Sequence, residues 1–187
     1  LREMADAEPA ADQGAARREY RQLQSREELE TWLAAVPAGA PVAVAVGEMM
    51  SETVVGLAAQ SEACSLALGE ALPEWPTVAH DIKTFVRRFG ECPNLTHDVM
   101  LYEFLLSADP GACSLAVMAE RHLGHAAASD PAGEADEVLA IFHKLRPEVE
   151  KAALADVYAR IDLPLIRVLA ERETTGIRVD PAQLRIL

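Results

Sequence analysis

"PVAVAVGEMM", residues 41 to 50, is an apolar run that stops abruptly at Gly47 and Glu48. Val42, Val44 and Val46 alternate with Ala43 and Ala45, so both faces of the stretch are apolar. A strand of that kind suits the middle of a sheet covered on both sides. The carboxyl end of such a strand is where many α/β enzymes place an acid. One carboxylate, Glu48, stands there.

Working outward, "EYRQLQ" (19–24) alternates and reads as an opening strand. Ser25 with Glu28 forms a capping box for "REELETWLAAV", a helix that stops before Pro37 and Gly39. Downstream, "TVVGLAAQ" (53–60) and "ACSLAL" (63–68) follow the first run after short turns, which predicts a meander. Past Pro73 the rhythm changes. "TVAH" (77–80) and "PNLTHD" (93–98) read as strands, and "DIKTFVRRFG" (81–90) as a helix stopped by Gly90. "DVMLYEFLL" is a helix with Asp98 as N-cap, and "SLAVMAERHLG" a helix closed by Gly124. "HAAASDPAGEAD" (125–136) reads as a polar loop, and 134 to 174 as helical with interruptions around Pro147 and Pro164. A meander followed by strand–helix alternation implies a mixed sheet flanked by helices, an α/β fold. No internal repeat is visible.

At 187 residues the chain holds one domain with a real core, and only 5% aromatic content makes that core one of Ala, Val and Leu. The first 18 residues, Ala-rich and acidic without an apolar period, read as a linker or cloning remnant. The net charge of -13, from 30 acids against 17 bases, disfavours freestanding nucleic-acid binding, which needs a dense cationic face. Cys64, Cys92 and Cys113 form no CxxC pair and read as buried thiols of a reducing compartment. With no membrane span and no signal peptide, a cytoplasmic protein is expected.

Several acids stand at element ends: Glu48 after its strand, Asp81 and Asp98 before helices, Glu134 and Asp136 at the next helical opening. Carboxylates so placed are how a two-metal nuclease holds hard Mg²⁺ ions. The same acids also serve as helix caps and dipole partners, and spacing alone favours that role. His122 and His125 lie three apart, but Gly124 breaks the helix between them and no third ligand is near, so two surface histidines are expected rather than zinc. No GxSxG elbow, GxGxxG or P-loop occurs. Lys83, Arg87 and Arg88 make the densest basic patch, suited to weak phosphate contact or simply to the exposed face of an amphipathic helix.

"DVMLYEFLLSADPGACSLAVMAERHLG" (98–124) resembles the stretch of family A DNA polymerases in which an Asp-Thr-Met-Leu helix precedes a helix reading Ser-Leu-x-x-Leu-Ala-x-x-Tyr-Leu-Gly. "VYARIDLPLIRVLAERETTGIRVDPAQL" (157–184) resembles the passage leading from the proofreading exonuclease domain into the polymerase domain of that family. "YRQLQSREELETWLAAVPAGAPVAVAVGE" (20–48) is similar to the start of that exonuclease domain. The resemblance covers residues 19 to 187. It implies a ribonuclease H-like, exonuclease-type domain over 19–155 and a helical connection toward an absent polymerase domain over 156–187.

The resemblance also implies what should stand at the strand end. Active members carry Asp-x-Glu there, whereas this chain has Val46-Gly47-Glu48. In the second motif Asp81 replaces an Asn, and Phe85 takes the place of the metal-binding Asp. In the third, a Tyr-x-x-x-Asp, the register puts Asp130 at the Tyr and Glu134 at the Asp. Valine and phenylalanine supply no anionic oxygen, and two divalent ions that repel each other need several. The implied site is therefore dismantled, with Glu48 and Glu134 the sole remaining metal ligands if any ion binds. The expectations are a silent domain of a DNA polymerase I, acting as a platform in replication and repair. No cofactor is expected, Mg²⁺ entering only with residual exonuclease activity through carboxylates such as Glu48, Asp81, Asp98 and Glu134. The expected partner is the polymerase domain of the same chain. DNA would be reached weakly or through the full enzyme, with no membrane contact, in a monomer.

Overall fold

The computed structural model describes residues 20–49, 51–67 and 74–176. The first 18 residues and the segment from 177 onward lie outside the described residues. Six strands form one mixed sheet: β1 (Arg21–Leu23), β2 (Val42–Met49), β3 (Glu52–Ala59), β4 (Glu62–Ala67), β5 (Val78–Ala79) and β6 (His97–Asp98), in the order β1-β4-β3-β2-β5-β6. β2, β3 and β4 pair antiparallel as a meander, while β5 joins β2, and β6 joins β5, in parallel. The expected α/β architecture stands. The quoted run is the central strand, with β3 on one side and β5 on the other.

Alternation along β2 assigns its two faces to two cores. Val42 and Val44 join Val55, Leu57, Ile82 and Phe85 beneath α1 (Arg26–Ala34), α2 (Ile82–Phe89) and α7 (Leu163–Thr175). Ala43 and Ala45 face α5 (Pro131–Lys151), in a core with Val138, Leu139, Ile141 and Phe142. The small residues on this second face let α5 lie close to the sheet. At Gly56 an added Cβ would stand 1.8 Å from the Pro131 carbonyl oxygen.

Local chemistry explains most element ends. Ser25 caps α1, its Oγ accepting from the Glu28 N–H at 3.2 Å, while the Glu28 carboxylate reaches back to the Gln24 N–H at 2.9 Å. The box is thus closed one residue further upstream than its usual form. Gln60, with φ 55°, sits in the tight turn between β3 and β4. α3 (Val99–Ser107) is capped by Asp98 as expected. The short α4 (Leu115–Met118) passes into a π turn, Ala119–Leu123, that ends at left-handed Gly124.

Four expectations need correction. α5 begins at Pro131, inside the expected polar loop, because Asp130 caps it and proline at a first helical position forfeits no hydrogen bond. Pro147 does not interrupt this helix, which runs on to Lys151. Pro147 and His143, whose carbonyl loses its helical donor, both lie on the exposed side, where water can take the donor's place. Pro164 breaks nothing either. A π turn, Tyr158–Asp162, precedes it, and the Leu163 N–H reaches back five residues to the Tyr158 carbonyl. The helical run is interrupted instead after α5, where Ala153 adopts φ 57° ahead of α6 (Ala155–Val157). The strands read into "TVAH" and "PNLTHD" shrink to two residues each.

Cys64, Cys92 and Cys113 are free thiols, the first and third buried; burial pushes the Cys64 thiol up to about 12. Among the described residues no helix is long and apolar enough to cross a membrane.

His97 provides a handle on stability. Its Nδ1 lies 2.8 Å from the Tyr102 hydroxyl and its ring 4.9 Å from that of Phe142. Burial, reinforced by the Arg146 charge, lowers its pKa from the ordinary 6.5. The unfolded chain therefore takes up this proton first, so stability falls as pH drops through that ordinary value. Urea midpoints should decline from about pH 7.5 to about pH 5.5, less steeply in His97→Asn, whose carbonyl can replace Nδ1 toward Tyr102. Parallel slopes for the two proteins would refute this assignment.

Candidate functional site

The end of β2 projects Val46 and Glu48 toward the α2 layer. Val46 packs against the same apolar core that buries Phe85. Glu48 is 72% exposed, and its Oε1 meets the Arg88 Nη2 at 3.5 Å. Arg88 also donates to the Thr53 hydroxyl at 2.9 Å, and Thr53 sits directly across from Glu48 in the β2–β3 register. A guanidinium from α2 thus lies against the Glu48 carboxylate at the strand end.

The other cations of that helix are engaged too. Lys83 donates to Glu173 Oε1 at 2.9 Å, and Arg87 to its Oε2 at 3.2 Å. This pins α7 to α2. The lysine hydrogen bond is the largest influence holding Glu173 below the usual carboxylate range. The basic patch read from the sequence is therefore matched by acids from β2 and α7.

Asp81 and Asp98 work on the backbone. Asp81 adopts φ 58°, a left-handed conformation that Asn and Asp tolerate better than most residues. Its Oδ2 accepts from the Thr84 hydroxyl at 2.6 Å. Asp98 is almost fully buried and accepts from the N–H groups of Asp81 (3.1 Å), Ile82 (2.8 Å) and Met100 (3.0 Å). Burial pushes its carboxyl up from the ordinary value, against the pull of the Ile82 and Asp81 N–H groups and the nearby His80. The Tyr158 hydroxyl accepts from the Asp98 N–H at 2.8 Å and donates to the Thr96 carbonyl at 2.9 Å.

Asp130 and Glu134 belong to the start of α5, which packs on the Ala43/Ala45 face, away from the face that carries Val46 and Glu48. Asp130 caps the helix through the Gly133 N–H at 3.0 Å. Glu134 is half-buried; burial first, then the Glu137 and Asp130 charges, raise its pKa. Asp136 accepts from the Tyr20 hydroxyl at 3.1 Å. Among the described residues no three His, Cys, Asp or Glu side chains converge where a metal ion could sit.

The histidines of "HLGH" go separate ways. His122 Nε2 lies 2.7 Å from Glu103, a buried carboxylate that Arg121 also reaches at 2.6 Å, and this cluster fastens the π turn to α3. His125 stands 3.6 Å from Glu137. The sequence reading missed Glu103, Glu173 and Tyr158, because their partners lie 18 to 90 residues away with no local pattern to betray them.

Fold and site together define an α/β domain built on a mixed six-strand sheet flanked by helices, with acids at element ends that cap and pair instead of converging. No family model matches the chain. It is 30% identical over 130 residues to the DNA polymerase I of Rhizobium leguminosarum, a match covering 55% of this chain and 13% of that protein. It is 44% identical over 62 residues to the DNA polymerase I of Chloroflexus aurantiacus, covering 33% of this chain and 7% of that one. The chain therefore spans only a small part of these relatives. Its fold is shared with a solved structure described as the POL domain of Pol1 from M. smegmatis in complex with DNA primer-template and dNTP, at TM-score 0.71 and 21% identity. That likeness covers 88% of this chain and 33% of the solved one.

Proposed function

We propose that this chain is a catalytically silent 3′–5′ exonuclease-like domain of a DNA polymerase I, with a ribonuclease H-like fold over 19–155 and a helical connection over 156–187. It serves as a structural platform for DNA synthesis. Similarity to segments of two DNA polymerase I chains supports the parentage.

One observation carries the silent reading. The two positions where the resembled family places metal-binding aspartates, Val46 and Phe85, belong to one apolar cluster, and the surviving Glu48 is bridged by Arg88. An aliphatic and an aromatic side chain offer no oxygen to a divalent ion. A fixed guanidinium beside the remaining carboxylate repels any ion approaching it. These residues do not fit a magnesium pair. The domain stabilises its own strand end with protein cations and core packing.

The test is an incubation of the purified chain with 3′-labelled single-stranded DNA and Mg²⁺ or Mn²⁺. No nucleotide release is expected. Metal-dependent release lost in Glu48→Ala would instead establish a weak exonuclease using substitute carboxylates. With net charge -13, the chain should also bind single-stranded DNA with a dissociation constant above about 1 µM at physiological salt. Submicromolar binding would contradict the platform role.

A further inference from the structure

Between α5 and the connection leading into it lies an open cavity of about 1170 Å³, which reaches Gln22 of β1 and Ser65 of β4. Val46, Glu48, Phe85 and Arg88 take no part in its walls. Glu137 does, and its side chain is only 7% exposed. Its Oε1 accepts from the Ala128 N–H at 2.8 Å and stands 3.6 Å from His125 Nδ1. Its Oε2 is buried and has no hydrogen-bond partner among the described residues. A buried carboxylate oxygen without a donor is costly. A proton does not settle the cost, because the new O–H would itself need an acceptor. Burial is the largest influence raising the Glu137 carboxyl above its ordinary value; the Ala128 N–H and His125 oppose it, and the Asp136 and Asp130 charges add to it. The cation on this wall does not answer Glu137 either. Lys144 lies two helical turns further along α5 and donates to the His122 carbonyl.

We propose that this cavity binds a small aliphatic polyamine, with one ammonium group donating to Glu137. Asp130 and Asp136 line the same cavity, spread with Glu137 over about 10 Å of helix. Among the described residues these acids do not converge as the ligands of a metal ion must. An ammonium group brings three donors of its own and needs only single oxygens. A carboxylate has about four acceptor sites, so Asp130 and Asp136 can take further ammonium groups while keeping the Gly133 N–H and the Tyr20 hydroxyl. Ala126, Ala127 and Ala140 supply apolar wall for the methylene chain.

The test is a calorimetric titration of spermidine into the purified 187-residue chain in low-salt buffer. One saturable site with a dissociation constant below about 1 mM is expected. Glu137→Gln keeps an acceptor for the Ala128 N–H but removes the charge, and should weaken binding about tenfold or more. Glu171→Gln, exposed on α7 and outside the cavity, should leave binding unchanged. Ala140→Leu fills the cavity without touching any charge and should weaken binding too, so it decides the case if Glu137→Gln does not fold. Heats that never saturate, or equal losses in Glu137→Gln and Glu171→Gln, reduce the effect to general attraction toward a chain of charge -13 and overturn the proposal. N-acetyl-lysine amide, with one ammonium on a similar stem, should bind about tenfold more weakly than spermidine. Equal affinity for the two overturns the polyamine assignment, by making a lysine side chain the occupant.

Discussion

Gly56→Ala is expected to cost about 3 kcal/mol or more of stability and to lower the melting temperature by roughly 10 °C. The new methyl would stand 1.8 Å from the Pro131 oxygen, 2.1 Å from its carbonyl carbon and 2.5 Å from the Ala132 nitrogen. All three are backbone atoms at the start of α5, so no rotamer change relieves the clash. Either α5 lifts from the sheet or β3 bends, and both loosen the Ala43/Ala58/Val138 core. Gly47→Ala is the natural comparison, since its methyl meets only the Pro131 ring, at 3.0 Å. That ring can yield a few tenths of an ångström, and alanine suits a strand better than glycine, so the net change should stay within about 1 kcal/mol. Urea titrations of the two variants decide the matter, and a Gly56→Ala protein as stable as its parent would mean that α5 does not lie where described.

Asp98→Ala should cost about 3 kcal/mol, because it strands N–H donors that Asp98 alone satisfies at the junction of β6, α2 and α3. The Ile82 and Asp81 N–H groups open α2, beside the buried Ile82 and Asp98 side chains. Asp98→Asn retains one acceptor oxygen but turns an NH₂ group toward the other donors, so its loss should be smaller, about 2 kcal/mol. Amide exchange at Ile82 and Met100 should quicken in both variants relative to amides in the middle of α5. Because both Asp98 oxygens accept backbone N–H bonds, these losses should be the same with and without Mn²⁺. A loss confined to metal-containing buffer would restore Asp98 to the list of substitute ligands.

The central strand, the meander and the α/β alternation were legible because periodicity is local. Val42 to Val46 alternate apolar with apolar, and that pattern has few solutions other than a strand covered on both faces. Caps were legible for the same reason, as at Ser25 and Asp98. Proline misled twice: whether it breaks a helix depends on which side of the helix faces water and on whether a wider turn precedes it, and neither is written in the neighbouring residues. That Val46 at the strand end and Phe85 on α2 carry no oxygen could be read directly. That Arg88 would be the group facing Glu48 could not, because forty residues separate them.

By itself, then, the sequence determined the covalent facts of the strand end: which side chains carry oxygen, which are apolar, and how strongly negative the chain is. Tertiary structure decided what neutralises what. Glu173 on α7 meets Lys83 and Arg87, Arg88 meets Glu48, and α5 sets Asp130 and Glu134 on the other side of the sheet. Charge is a property of a residue, but its partner is a property of distance in space, and distance follows from the packing of helices on a twisted sheet.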